Sequence, residues 1–534
     1  MEFNKLEQMK RSIILGLMLC LVAFAVKAQQ NNNQVREQSI KYQRLMALID
    51  AFYVDTVNLQ QLTEDAIVKV LSDLDPHSVY ISKDEVEEMN EPLEGEFFGI
   101  GIQFTVFKDT LMVVSVVPGG PSEKVGLRPG DRIVTVDGEN IAGVKLTNTG
   151  VRKRLKGEKG TLVKIKVLRG NEPMDFDIIR DRIPLYSVDA AYMLDKTTGY
   201  IKLSRFAANT VEEFEKAVGK MKLEGMKDLI LDLQGNGGGY MGAAIGISDN
   251  FLDAGKMIVY TQGISSGKRD EFATSRGLME NGRVVILVDE NSASASEIVA
   301  GAVQDWDRGL IVGRRSFGKG LVQRPFPLTD GSIIRLTTAH YYTPSGKCIQ
   351  KPYTNEDYRG ELYHRYMNGE MVSADSIHIT DSTKYYTQTK HRVVYGGGGI
   401  IPDLFVPIDT GINYLYLNRL IAKNVIGEYE VDFLDKNRAK LEKEYPTFEK
   451  FLKEFVVTDE MIEEIVRLGE KAGIPRDDKS LQKVLPDMKR QIKALIARDK
   501  WEMNELYRVL NEDNKILDAG LKALKDGTYE AKLK

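Results

Sequence analysis

The 534-residue chain has few of the residues on which many catalytic and structural sites depend. Histidine occurs five times and cysteine twice, so a histidine-based mechanism has few candidates and a framework of several disulfides is excluded. Neither sign of charge is in excess, because 73 Lys and Arg stand against 77 Asp and Glu. This balance gives no electrostatic argument for nucleic acid as a partner. At this length three or four domains are expected.

Long apolar runs are also scarce, and the one present lies near the N-terminus. Residues 13–26 are apolar, follow the basic pair Lys10-Arg11, and end before the small residue Ala28, as in a secretory signal. The run is shorter than the roughly 20 residues that a membrane-spanning helix needs. We therefore expect residues 1–28 to be a signal peptide cleaved after Ala28. The remainder is expected to be exported to the cell envelope as a soluble periplasmic protein, with Cys348 as its only cysteine.

The next segment, residues 29–95, has apolar residues at helical spacing after a Gln/Asn-rich linker. It is expected to be a helical segment that packs or dimerises rather than one that catalyses. Asp75-Pro76-His77-Ser78 closes the pattern as a turn, in which His77 is expected to be structural.

Residues 96–182 change to a period typical of strands. Gly126-Leu127-Arg128-Pro129-Gly130-Asp131-Arg132-Ile133 lies between short strands and one helix, and the segment resembles a PDZ domain. In such domains a peptide C-terminus adds as a strand and backbone N–H groups hold its carboxylate. Short strands are predicted at Gly99–Ile102, Leu111–Val117 and Leu162–Leu168, and a helix at Asn148–Leu155. By the resemblance, the carboxylate-binding loop consists of Gly99, Ile100, Gly101 and Ile102.

Strand and helix patterns alternate over residues 183–410, which predicts an α/β domain. An insertion at about 353–395 breaks the alternation and is expected on the surface. The buried strand Leu229–Leu233 runs into Gly235-Asn236-Gly237-Gly238-Gly239, a turn whose amides can bind an anion. Residues 411–534 are helical and charged with no catalytic signature, and we expect a packing or interaction module.

Two reactive side chains in this domain each follow a buried strand. Ser294 comes after Val284–Val288, and Lys319 comes after Leu310–Val312 in a glycine-flanked loop. Ser294 and Glu297 have the spacing of a helix capping box, which alone explains a serine there. A serine at a strand-to-helix turn also lies beside free helix amides that can stabilise an oxyanion.

A serine nucleophile needs a base, and Lys319 is the better candidate. A lysine can serve when a desolvated site lowers its pKa from about 10.4, and Gln323 is placed to hold its amine by a hydrogen bond. His340, in the predicted core strand Ile333–Tyr342, is the alternative base, although no acidic partner for it is evident.

Two other motifs overlap Lys319. Gly313 and Gly318 give it nearly the spacing of a phosphate-binding P-loop, but Gly320 stands where that motif needs Ser or Thr. Ser316 and Lys319 have the spacing of a β-lactamase site, yet the order of the accompanying motifs is reversed and Lys-Thr-Gly is missing. Both alternatives are disfavoured.

Over residues 35–410 the chain resembles the C-terminal processing peptidases, also called tail-specific proteases. The resemblance rests on the PDZ segment and on Asp75-Pro76-His77-Ser78, Leu231-Asp232-Leu233 with Gly238-Gly239, Ser292-Ala293-Ser294-Ala295-Ser296-Glu297, Phe317-Gly318-Lys319-Gly320 and Tyr342-Thr343-Pro344-Ser345-Gly346. One departure is visible, since Gln234 and Gly237 stand where the family has Arg and Pro in the glycine turn.

The resemblance implies a multidomain α+β protein with a helical N-terminal segment, a PDZ domain, a crotonase-like α/β peptidase core and a helical C-terminal extension. It implies Ser294 as nucleophile, Lys319 as general base and Gln323 as the residue that orients the base. The oxyanion donors would be amides of Gly238 or Gly239 together with Ala295, and no metal or organic cofactor is implied.

The expected function is therefore an exported serine endopeptidase that binds protein C-termini through its PDZ domain. Protein substrates are the expected partners, and an adaptor or activator protein and a homodimer remain open. The alternative is a PDZ scaffold or chaperone that kept the fold without hydrolysis. The presence of Ser294, Lys319 and Gln323 argues against it.

Overall fold

The computed structural model describes residues 33–107, 109–170, 172–274, 277–353, 358, 360–379, 381–409 and 411–533. The expected signal peptide, residues 1–28, lies outside them. The chain divides into two compact units, Met1–Tyr80 and Ile81–Lys534. Over the described ranges, every helix is too short or too polar to cross a membrane.

The first unit is mainly helical where it is described. Residues 33–52 form one helix and Leu59–Ser72 a second. The predicted turn at Asp75 is present, because its carboxylate accepts the backbone N–H groups of His77 and Ser78 at 2.8 and 2.9 Å. Many large apolar side chains of this unit are exposed: Val35, Ile40, Leu45, Leu48, Phe52, Val68, Val70 and Leu74.

The second unit begins, after the short strand Val79–Ile81, with the helix Val86–Glu94 and a small β-rich region. Two flanking strands, Glu96–Gly99 and Asp181–Pro184, pair antiparallel. The main sheet has five strands in the order Ile102–Phe107, Thr110–Val116, Arg132–Val136, Leu162–Arg169 and Glu172–Ile179, with Glu139–Asn140 paired to the third. Two helices, Pro121–Lys124 and Asn148–Leu155, complete it.

The prediction of a strand across Gly99–Ile102 is wrong for its middle. Gly99 ends one strand and Ile102 begins the next, while Ile100 and Gly101 form the break between them. Gly101 has φ +76°, a left-handed conformation that ends strand geometry and favours glycine. The segment is therefore a loop, which is the role that the PDZ resemblance gave it.

A six-stranded sheet forms the core of the following α/β domain. Its order is Val188–Met193, Thr198–Leu203, Asp228–Asp232, Val284–Val288, Leu310–Gly313 and Leu404–Phe405, with only the first strand antiparallel to its neighbour. The helices Thr210–Leu223, Met241–Asp249 and Ala295–Asp305 pack on one face. The helix Lys515–Asp526, from the C-terminal extension, packs on the other. Burial on both faces explains why these strands are continuously apolar in sequence.

A second sheet lies beside the first and carries the residues after Lys319. Ile333–Tyr342 pairs antiparallel with Leu321–Pro327 and with Met257–Gly263, which in turn pairs with Gly267–Phe272. The insertion contributes the helix Glu361–Met367, the 3-10 turn Ala374–Ser376 and the hairpin strands Asp381–Tyr386 and Val393–Gly396.

The expectation that the insertion lies on the surface is wrong for two of its charged residues. Arg365 and Glu370 are 4% and 3% exposed. Charged side chains are seldom buried this fully unless they are paired. Arg365 and Glu370 both form hydrogen bonds with the loop that precedes Lys319.

The C-terminal extension is helical, as expected. Its helices are Leu415–Ala422, Val425–Glu444, Phe448–Glu454, Asp459–Lys471, Asp478–Lys500, Met503–Leu510, Lys515–Asp526 and Thr528–Lys532, with a 3-10 turn at Asn511–Asp513. The first six share an apolar core of their own. The fold class is thus multidomain α+β, as the sequence predicts.

Candidate active site

Ser294 lies between the buried strand Val284–Val288 and the helix Ala295–Asp305. Its backbone has φ 55° and ψ −111°, a conformation that costs a non-glycine residue about 1–3 kcal/mol. Such strain persists only where the surroundings hold it. The backbone N–H of Ser294 donates to Oε2 of Glu297 at 2.8 Å, so the glutamate half of the predicted capping box is present.

Glu297 is fully buried, with 0% exposure, and joins the serine turn to the lysine loop. Its Oε2 also accepts the N–H of Lys319 at 2.9 Å, and its Oε1 accepts the N–H of Gly318 at 2.7 Å and the hydroxyl of Ser316 at 2.5 Å. Burial raises the pKa of Glu297 to about 7, although the bonds from Ser316, Lys319, Gly318 and Ser294 act in the opposite direction. Sequence reasoning gave Glu297 only a capping role and missed this second connection.

Tyr341 makes a second link between the same two segments, which sequence reasoning also missed. Its hydroxyl lies 2.6 Å from the carbonyl oxygen of Lys319 and 3.0 Å from that of Ser294. The ring is 1% exposed, and burial raises the pKa of the phenol well above its usual value. The tyrosine is therefore a neutral donor. Its inward position in the predicted strand Ile333–Tyr342 was the only signal for it in the sequence.

The loop before Lys319 is held from behind by the insertion. Arg365 donates from Nη1 to the carbonyl of Ser316 at 3.1 Å and from Nη2 to the carbonyl of Arg315 at 2.5 Å. Glu370 accepts from Arg315 and from Arg365, each at 2.7 Å. Since every charge in this buried group is paired, the group fixes the loop without leaving a charge unsatisfied. Ser316, the serine of the disfavoured β-lactamase-like spacing, is buried inside this support.

The glycine turn reaches Ser294 across the end of the sheet. A Cβ atom built on Gly238 would lie 2.8 Å from Cβ of Ser294 and 2.9 Å from the backbone nitrogen of Ala295. The N–H of Gly238 donates to Oδ1 of Asn236 at 2.9 Å, so this amide is occupied. Among the described residues, no protein acceptor is found for the amides of Gly239 and Ala295.

Gln234 is one of the two residues at which the glycine turn departs from the family pattern, and a residue of a neighbouring strand holds its backbone. Lys202 donates from Nζ to the carbonyl of Gln234 and lies 3.2 Å from Oδ1 of Asp232. The same Asp232 oxygen accepts the N–H of Gln234 at 2.8 Å. Both charged side chains are buried, and together they hold the start of the turn where the sequence lacks the family's arginine.

All six predicted catalytic and oxyanion residues line one cavity of about 970 Å³: Ser294, Lys319, Gln323, Gly238, Gly239 and Ala295. Gln323 donates from its side-chain amide to Oγ1 of Thr337 at 3.3 Å. His340 is not among the described residues that line this cavity. Within the described ranges, no cluster of His, Cys, Asp or Glu has the arrangement of a metal site.

A second cavity, of about 360 Å³, contains all four predicted PDZ loop residues, Gly99, Ile100, Gly101 and Ile102. The helix Val86–Glu94 lies between the two cavities. Its Glu88, Glu91 and Pro92 line the PDZ cavity, whereas its Asn90 and Leu93 line the cavity of Ser294.

The chain is similar to known proteins over both domains that contain these cavities. The sequence model of peptidase family S41 matches residues 197–359, that of the PDZ domain matches residues 99–179, and that of a family of unknown function matches residues 416–502. A carboxy-terminal-processing protease of Bartonella bacilliformis is 36% identical over 338 residues, which cover 62% of this chain and 77% of that protein. A probable CtpA-like serine protease of Staphylococcus aureus is 33% identical over 346 residues, covering 63% and 68%.

One solved structure with similarity to the chain is a photosystem II D1 C-terminal processing protease. It is 29% identical, with a TM-score of 0.33, and the match covers 58% of this chain and 89% of that one.

Proposed function

Since the chain belongs to peptidase family S41 and is a serine peptidase with a PDZ domain, we propose that Ser294 and Lys319 form its catalytic dyad. One observation carries this proposal. The two residues line the same cavity, and a single carboxylate oxygen of Glu297 accepts both of their backbone N–H groups. Their backbones are therefore fixed relative to one another before substrate arrives.

In the proposed reaction, neutral Lys319 takes the proton from Oγ of Ser294 as that oxygen attacks the carbonyl carbon of the scissile peptide. The resulting ammonium group returns the proton to the leaving amine, and the C–N bond breaks. Lys319 next takes a proton from water as the hydroxide attacks the acyl-enzyme. Ser294 leaves and regains that proton from Lys319, and the product is released as a carboxylic acid that then gives its proton to solvent. Gln323, on the wall of the same cavity, orients the amine.

The oxyanion donors of the proposed site are the amides of Gly239 and Ala295. Gly238 is the less suitable of the two predicted glycines, because its N–H already donates to Asn236. Ala295 is the first residue of its helix, where backbone N–H groups lack partners inside the helix and the helix dipole favours negative charge. Two such donors are the usual number for a tetrahedral intermediate.

The PDZ domain is proposed to bind the C-terminus of a protein substrate and to gate the catalytic cavity. Support for gating comes from the helix Val86–Glu94, which lines both cavities. Its Glu88 and Glu91 form ion pairs with Arg152 and Lys156, beside the PDZ loop. Its Asn90 accepts a hydrogen bond from Arg335 at 3.2 Å in the catalytic cavity. A ligand that moves this helix in one cavity changes the wall of the other.

We also propose that the protein is exported to the cell envelope and forms a homodimer. The basic and apolar pattern of residues 1–28 supports export to the cell envelope. The exposed apolar side chains of the first unit, such as Phe52 at 80% exposure, support a homodimer in which a second copy covers them.

A direct test is cleavage of a folded protein that carries an unstructured C-terminal tail, by wild type and by Ser294→Ala. Wild type is expected to remove the tail, and Ser294→Ala is expected to bind the protein without cleaving it. Equal cleavage by both would reject Ser294 as the nucleophile. Tail binding without cleavage by wild type would favour the scaffold or chaperone alternative.

A further inference from the structure

The C-terminal extension contacts the edge strand of the peptidase sheet, Val188–Met193, through polar side chains as well as apolar ones. An edge strand has unpaired backbone groups on one side, and the helix Met503–Leu510 covers this one. Two hydrogen bonds join them: Asn504 Oδ1 accepts the N–H of Ala191 at 2.8 Å, and Tyr507 donates its hydroxyl to Oδ2 of Asp189 at 3.1 Å. Asn511, which follows the helix, adds a third contact by donating from Nδ2 to the hydroxyl oxygen of Tyr192 at 2.9 Å.

One of these contacts leads to the glycine turn through Asp189. Its other oxygen, Oδ1, accepts the hydroxyl of Ser204 at 2.9 Å. Two residues later, Phe206 donates its N–H to the carbonyl of Gly238 at 3.1 Å and accepts the N–H of Tyr240 at 2.8 Å. The segment that Tyr507 supports therefore pairs directly with the turn around Gly239.

A second contact leads to the start of the same turn. The ring of Tyr192 packs on that of Tyr200, with centroids 5.1 Å apart. Tyr200 donates its hydroxyl to Oδ2 of Asp232 at 2.7 Å. Asp232 and Lys202 in turn hold the backbone of Gln234. The contacts through Asp189 therefore reach the end of the glycine turn at Gly238, and the contacts through Tyr192 reach its start at Gln234.

We infer that the helix Met503–Leu510, together with Asn511, positions the oxyanion turn of the peptidase, with Tyr507 as a positioning residue. The inference rests on the proposed function, in which the Gly239 amide holds the oxyanion. A donor must be held at about 2.7–3.1 Å from the developing charge, and displacement by about 1 Å can reduce the rate as much as 100-fold. The extension thus acts on the chemical step, although none of its described residues lines the cavity.

The test compares Tyr507→Phe with a matched control, Tyr529→Phe. Tyr529 belongs to the same extension, but its hydroxyl lies 3.3 Å from the N–H of Val284 and 3.3 Å from the carbonyl of Arg308, at the opposite end of the sheet from the turn. Each variant loses one hydroxyl and keeps its ring. Tyr507→Phe is expected to lower kcat about tenfold with KM nearly unchanged, and Tyr529→Phe is expected to keep kcat.

A peptide boronate supplies a readout that general destabilisation would not change, because it bonds to Oγ of Ser294 and one of its oxygens occupies the oxyanion position. Its inhibition constant should weaken in Tyr507→Phe by the same factor as kcat/KM falls, and remain unchanged in Tyr529→Phe. Titration with a fluorophosphonate counts reactive sites and corrects for unfolded protein. Asn511→Ala tests the second route and should show the same pattern.

Equal effects of Tyr507→Phe and Tyr529→Phe on kcat, or an effect on KM alone, would overturn the inference while leaving the dyad in place. Full activity of Ser294→Ala would instead overturn the proposed function itself, so the two failures are distinguishable.

Discussion

Oε2 of Glu297 accepts the backbone N–H of Lys319 at 2.9 Å, and the same oxygen accepts that of Ser294 at 2.8 Å. The proposed base and nucleophile are thus fixed through one buried carboxylate that itself has no part in the proton transfers. Tyr341 adds a matching link between their carbonyl oxygens.

Replacing Glu297 by Gln is expected to lower kcat by about 100-fold, because both reacting residues lose part of their backbone support. The glutamine amide has one acceptor oxygen and one NH₂ group. Two of the four donors that bond to the Glu297 carboxylate would therefore face the NH₂ group and lose their acceptor. Each buried donor left unsatisfied costs about 1–3 kcal/mol of stability. Steady-state kinetics and urea unfolding measure the two effects.

Glu430→Gln is the matched control for this variant. Glu430 is 2% exposed, burial raises its pKa to about 7, and it pairs with Arg498 at 3.3 Å in the C-terminal extension. Its replacement should destabilise the protein and leave kcat unchanged once corrected for folded protein. An equal loss of kcat in both variants would contradict a specific role for Glu297.

The stability of the protein should depend on pH through Glu297. Burial raises the pKa of this carboxyl to about 7, whereas in an unfolded chain it titrates near 4.3. Between these values the folded protein keeps a proton that the unfolded chain has lost. The stability that protonated Glu297 contributes is therefore complete below about pH 4.3 and is lost as the pH rises through about 7.

Glu297→Gln removes this titration. The unfolding free energy of wild type minus that of the variant should fall by on the order of 3 kcal/mol between about pH 5 and 8. Urea unfolding at several pH values measures the difference. A difference that does not change with pH would show that Glu297 keeps an ordinary pKa.

The glycine turn offers a contrast between two adjacent residues. A Cβ on Gly238 would lie 2.8 Å from both Cβ of Ser294 and the carbonyl of Ala293, and the residue has φ +99°. A Cβ on Gly237 would meet nothing within 4 Å. Gly238→Ala is expected to lower kcat/KM by about 100-fold or more, comparable to loss of an oxyanion donor.

Gly237→Ala should keep wild-type kinetics, because a Cβ atom there would meet no neighbouring atom within 4 Å. Hydrolysis of a fluorogenic peptide measures both variants. Similar losses of activity in the two variants would mean that the activity does not depend specifically on the close contact between Gly238 and Ser294.

Recognition of the substrate C-terminus should depend on Gly101. A Cβ there would lie 2.9 Å from Cδ1 of Ile183, with φ +76°, whereas Gly119 has a similar φ of +70° and open space around it. Gly101→Ala is expected to raise KM for a tailed protein about tenfold, because the substitution would move the loop amides that are proposed to hold the carboxylate. Gly119→Ala provides the control for backbone strain alone.

The second arm uses the same tail with an amidated C-terminus. Wild type should cleave it less efficiently than the free acid, and Gly101→Ala should no longer distinguish the two. Wild type that cleaves both forms equally would contradict recognition of the terminal carboxylate.

The sequence predicted the parts of the site that lie where a strand pattern ends. Ser294 and Lys319 each follow an apolar run that became a buried parallel strand, and such strands bring their carboxyl ends to one edge of a sheet. Such patterns depend only on residues that are close together in the sequence. They also predicted the strands Val284–Val288 and Ile333–Tyr342 with the bounds that the structure has.

Contacts between distant segments were not predictable. The bonds from Arg365 to the carbonyls of Arg315 and Ser316 join residues about 50 positions apart, and Tyr507 reaches Asp189 across more than 300. Nothing in the spacing of either residue indicates its partner. For the same reason the sequence could not show that Lys515–Asp526 covers one face of the peptidase sheet, or that Val86–Glu94 lines two cavities.

Comparing kcat/KM for a tailed protein among wild type, Lys319→Ala and His340→Ala identifies the base that serves Ser294. We expect a loss of at least about 1,000-fold for Lys319→Ala, since a base within a nucleophile–base pair is needed at both chemical steps. His340→Ala should retain nearly full activity, because that imidazole does not line the cavity. Activity that survives Lys319→Ala and is lost in His340→Ala would contradict the Ser294–Lys319 dyad.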